Sequence, residues 1–92
     1  NDAYVDAYYN IGLAYFNQAI EMNKDRQQYR SKRAKIIELY GLSRPYMEKF
    51  RQLAPDDKGK WLAPLYTIYL NLNMGKEFDE IDKIRKEVKY EQ

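Results

Sequence analysis

Apolar residues recur at three- and four-residue spacing through nearly all of this 92-residue chain, and no stretch shows the strict alternation of a strand. That periodicity restricts the fold to packed helices. Three breaks divide them. Pro55 biases Ala54 away from the helical region, and Asp56 or Asp57 can cap the next helix. In Asn73-Met74-Gly75, Asn73 or Gly75 can turn left-handed and close a helix. The polar run Asn23-Lys24-Asp25 offers Asp25 as a third cap. The breaks predict helices over residues 2–22, 25–53, 58–72 and 76–89, so the fold class is all-α. Residues 1–92 then form a single domain, with a long helix pair over 1–55 and a shorter one over 56–92.

Each segment carries an apolar stripe. The first has Val5, Tyr8, Tyr9, Gly12, Tyr15, Phe16, Ala19 and Ile20. The second has Tyr29, Ile36, Ile37, Tyr40, Ser43, Met47, Phe50 and Leu53. Pro45 lies inside that second segment and opposes the carbonyl of Gly41, which predicts a kink near residues 41–45. Trp61, Leu62, Leu65, Ile68, Tyr69 and Leu72 form the third stripe, where Pro64 loosens the first turns. Phe78, Ile81, Ile84 and Val88 form the fourth, and its outer face sets Asp79 against Lys83 and Asp82 against Lys86.

Segments one and three repeat each other. Tyr8-x-x-Ile11-Gly12-x-x-Tyr15-Phe16-Asn17 matches Leu62-x-x-Leu65-Tyr66-x-x-Tyr69-Leu70-Asn71 at a constant offset of 54 positions. The unit is a helix–turn–helix used twice, the first copy longer by about 20 residues than a ~34-residue repeat. A plain four-helix bundle is the structural alternative.

These residues resemble the tetratricopeptide repeat (TPR) family. Tyr8-x-x-Ile11-Gly12-x-x-Tyr15 looks like the opening helix of such a repeat. Ser43-x-x-x-Met47-x-x-Phe50-x-x-x-x-Pro55 looks like its second helix and terminating proline. Trp61-Leu62-x-x-Leu65-x-x-x-Tyr69, Asn73 and Phe78 resemble a following repeat, and residues 41–57 are similar to the closing part of large bacterial TPR proteins. The chain departs from the pattern at Tyr66, where the first copy has Gly12, at Phe50 in place of a packing alanine, and in lacking a final proline. The resemblance implies an α-solenoid of two helix pairs and a non-catalytic scaffold that binds a protein or peptide in a concave groove. Carried over by position, the groove residues are Asp6, Tyr9, Leu13, Phe16 and Asn17 in the first copy. In the second they are Lys60, Ala63, Thr67, Leu70 and Asn71. Tyr9 and Phe16 are expected as exposed aromatic anchors, and Asn17 and Asn71 as partners for a ligand backbone. With Lys60 the one basic groove position, capture of a free C-terminal carboxylate is not expected.

Composition narrows the chemistry. The chain has no cysteine and no histidine, which removes disulfides, thiolate metal sites and the usual general base and zinc ligand. Its carboxylates at Asp56, Asp57, Asp79, Glu80 and Asp82 read as caps and solvated helix faces. No enzyme activity, cofactor or metal is expected. Apolar runs are only a few residues long, so no membrane span is expected. The start at Asn1, without Met or leader, is expected of a processed or excised product, and either an exported or a cytoplasmic location is compatible with it. Sixteen basic and fourteen acidic residues give +2, too balanced for bulk charge to imply nucleic-acid binding. One local cluster stands out: Lys24, Arg26, Arg30, Lys32, Arg33 and Lys35 against Asp25, with Tyr29 embedded. It supports an alternative reading, a basic module for nucleic acid or an anionic surface through residues 24–35. A capping or dimerisation domain is a third. Two repeats are few for a solenoid, so some self-association is expected.

Overall fold

The computed structural model of the chain describes residues 2–91, without the side chains of Asp2, Arg26, Gln28, Tyr29, Tyr90 and Glu91. Four helices follow in order: α1 (Asp2–Asn23), α2 (Arg26–Leu53), α3 (Lys58–Asn71) and α4 (Gly75–Glu91). Among the described residues there is no strand.

The three breaks act through identifiable bonds. Asp25 Oδ1 accepts the N–H of Gln27 at 3.0 Å, so it caps α2. Ala54 leaves the helix before Pro55, and its carbonyl accepts from the Asp57 N–H at 3.1 Å and from Trp61 Nε1 at 3.2 Å. Asp57 holds the N-cap position of α3, yet its carboxylate bonds no backbone N–H and sits 3.8 Å from Lys60 Nζ instead. After α3, Asn73 takes φ 56°, with Met74 N–H on the Tyr69 carbonyl and Asn73 N–H on that of Leu70. This is the left-handed helix stop with its two returning bonds.

α2 runs as one helix through Pro45, which is exposed, so residues 41–45 cause no interruption. Likewise α3 accommodates Pro64, which is buried. The core joins Ala19 of α1, Ile36, Leu39, Tyr40, Met47 and Phe50 of α2, Trp61, Leu65, Ile68 and Tyr69 of α3, and Ile81 of α4. Leu53 departs from its expected stripe and is exposed, and the Tyr29 side chain lies outside the described residues. α1 meets α2 most closely at Gly12, where an added Cβ would stand 3.2 Å from the Met47 backbone nitrogen. There the buried Ser43 hydroxyl donates to the Gly12 carbonyl at 2.6 Å. Asp82 pairs with Lys86 at 3.1 Å as expected, but Asp79 and Lys83 form no ion pair. Asp82 also takes Arg85, at 2.9 Å.

α1 packs on α2, α2 on α3 and α3 on α4, and α1 also touches α3. Among the described residues the backbone of α4 approaches neither α1 nor α2. From residue 30 to residue 35 every side chain of α2 is exposed, more than one helical turn with no covered face. The tip of the long hairpin therefore stands clear of the body.

Candidate functional site

The groove positions fall into separate local environments. Tyr9 and Phe16 are half-buried rather than exposed, because each leans onto α2: Tyr9 on Phe50 at 5.0 Å between ring centroids, Phe16 on Tyr40 at 5.9 Å. Leu13 is half-buried against the same core. Lys60 is exposed and sets its ammonium 5.3 Å from the Tyr9 ring centre, joining the first and third helices by a cation–π contact. Asn71 Nδ2 donates to the Thr67 carbonyl at 2.8 Å, a bond back along its own helix. Asn17 is exposed, and its side chain makes no hydrogen bond among the described residues. The structure thus brings Tyr9 to Lys60 and Thr67 to Asn71. Exposed Asp6, Asn17 and Lys60 are the accessible polar members of the set.

A polar seam holds the two hairpins in place. Tyr69 OH donates to Glu48 Oε2 at 2.6 Å, and Glu48 also accepts Arg44 at 3.3 Å. Burial, then the Glu48 carboxylate, pushes the Tyr69 phenol well above the usual tyrosine range. Arg51 of α2 lies 4.7 Å over the Trp61 ring of α3 and reaches Glu80 of α4 at 2.9 Å. One side chain therefore ties three helices together.

Among the described residues, α3 borders two surface depressions. The larger, about 310 Å³, runs along α3 beside α4 and is lined by Lys58, Gly59, Leu62, Ala63, Tyr66, Thr67 and Arg85. Arg85 stacks 4.9 Å over Tyr66 while both its Nε and Nη2 donate to Asp82 Oδ1. The hydrogen bonds from Arg85 and Lys86 hold the Asp82 carboxyl below its ordinary range, and the Arg85 guanidinium is correspondingly raised. Two sequence-predicted positions, Ala63 and Thr67, line this cleft; Tyr66 and Arg85 were not among them. The smaller depression, about 170 Å³, includes exposed Leu70 beside the α3–α4 turn. In the basic segment, Lys24 pairs with Glu21 at 3.3 Å and Lys35 with Glu38 at 3.4 Å. Arg30 and Lys32 stand exposed at the tip.

No helix is long and apolar enough to cross a membrane among the described residues. Compared with known proteins, the chain matches no family model, no curated protein and no solved structure.

Proposed function

We propose that this is a non-catalytic protein-interaction domain of TPR-like, α-solenoid kind, built from two helix pairs that present α1 and α3 to a protein or peptide partner. The observation that carries the reading is the packing order. α1 touches α3, while among the described residues the α4 backbone approaches neither α1 nor α2 and only the Arg51 side chain bridges α2 to α4, which suits helix pairs laid side by side better than four helices closed round one core. On that reading, exposed Asn17 and Lys60 and the Ala63–Thr67 wall of the larger cleft contact the partner. Half-buried Tyr9, Leu13 and Phe16 then shape the surface from beneath. The test is capture of partners from the source organism by wild type beside an Asn17→Arg/Lys60→Glu variant. Both positions are exposed, so the variant should keep its helical circular dichroism. Loss of a retained protein supports the reading, and equal retention removes it.

A second reading is favoured by the bare tip of α2. Residues 30–35 expose Arg30, Lys32, Arg33 and Lys35 on all sides, so these cations need not share one face to meet a polyanion. Arg30→Glu/Lys32→Glu abolishes binding in this case and leaves a groove binder unchanged.

A further inference from the structure

Residues 7–20 of α1 contain no charged side chain, nearly four turns in a chain of which 33% is charged. A helix without charge on any side is suited to being covered on every side. Yet among the described residues α1 has only α2 and α3 for neighbours. The flank turned away from α3 carries Tyr4, Tyr8, Ile11 and Tyr15, spaced as one helical face. Ring contacts continue it onto α2: Tyr4 to Tyr8 at 6.3 Å, Tyr8 to Tyr46 at 6.5 Å and Tyr15 to Tyr46 at 6.2 Å. Leu42 and Leu53 lie on the same flank of α2, four residues before and seven after Tyr46. Of the five large apolar side chains exposed among the described residues, this one face holds four, with Tyr4 at 67%.

The internal repeat shows what such a face meets when it is complete. Ile11 is 41% exposed, whereas its counterpart Leu65 is 0% exposed, and Tyr69, the counterpart of Tyr15, is buried on Glu48 of α2. At Leu65 the third helix is fully covered, whereas at Ile11 the first stands open.

We propose that this aromatic face pairs with the same face of a second copy of the chain, antiparallel about a two-fold axis near Ile11. Charge selects that occupant and that orientation. The face carries a single charge, Lys49, between Tyr46 and Leu53 on the α2 stripe, with its ammonium donating to Gln52 at 3.3 Å. Residues 24–35 hold six of the sixteen basic and one of the fourteen acidic residues, net +5, which leaves −3 on the rest of the chain. A parallel pair sets two such tips side by side. The antiparallel pair holds them at opposite ends, each toward the other copy's acidic remainder. Two helices abreast over three turns give each copy a face on the order of 350 Å². Pairing then buries on the order of 700 Å² in total, the size of a weak, concentration-dependent contact.

The pairing involves the flank of α1 opposite α3 and is independent of the groove reading. Sedimentation equilibrium of wild type from roughly micromolar to millimolar concentration should show a monomer–dimer equilibrium. Ile11→Arg, at a position outside the core, should keep its helical signal and weaken association by at least about tenfold. The chain has no cysteine, so single cysteines report geometry directly. Oxidised Ile11→Cys should link into a dimer, while Ala34→Cys at the exposed tip should not. A wild type monomeric throughout overturns the proposal, as does association undiminished in Ile11→Arg. Linking at Ala34 in preference to Ile11 overturns the antiparallel arrangement.

Discussion

Single atoms decide how closely the helices of this protein approach. At Gly12 there is no room for a β-branched side chain, because the Met47 backbone itself stands where the Cβ would point. Gly12→Val should therefore destabilise by about 1–3 kcal/mol, read as a lower urea midpoint at unchanged slope. Ser43→Ala, which removes the buried hydroxyl donated to Gly12, should cost about 1 kcal/mol. Asn73 holds φ 56°, so Asn73→Ala should cost about 1 kcal/mol and Asn73→Gly should be neutral or stabilising. Tyr69 adds a pH dependence. Its phenol is held neutral in the fold above its ordinary 10.0, so the folded state keeps a proton that the unfolded chain releases. The stability this contributes is complete below pH 10 and is lost as pH rises beyond it toward the raised folded value. Unfolding followed from pH 8 to 11.5 should show a decline above about 10 that is smaller in Tyr69→Phe.

At the scale of the element, the helices were largely written in the sequence and their surroundings were not. Asp25, Pro55 and Asn73 act locally, through one cap, one blocked backbone and one left-handed turn, so each boundary falls within two residues of its expected place. Periodicity names the apolar side of a helix without saying how many neighbours share its edges. Hence Tyr9 and Phe16, expected as exposed anchors, lean onto Phe50 and Tyr40, while Leu53, expected inside, stands in solvent. Asp82 likewise had two cations within reach along its helix, and spacing did not reveal that Arg85 would bind it while stacked on Tyr66. One legible signal pointed to the uncovered face, the absence of charge all round residues 7–20. Pro45 is exposed and sits within an unbroken helix. Restoring its N–H by Pro45→Ala should stabilise the protein by about 1–2 kcal/mol in thermal or urea unfolding, after allowing for the freer unfolded chain.

For the whole molecule, the long hairpin and the short one are joined through α3 and through the Arg51 side chain, with no second seam between α4 and α2 backbones among the described residues. Pairing through the aromatic face would couple that architecture to concentration. The thermal midpoint of wild type should rise with protein concentration, while that of Ile11→Arg stays fixed. The joint also carries Trp61, the chain's single tryptophan, buried between the Ala54 carbonyl and the Arg51 guanidinium. Seven of the ten tyrosines belong to the first two helices, and Trp61 belongs to the third. Light absorbed by phenol rings in one hairpin is thus passed to an indole in the other for as long as the two stay in contact. The molecule contains its own optical gauge of whether its halves separate before they melt.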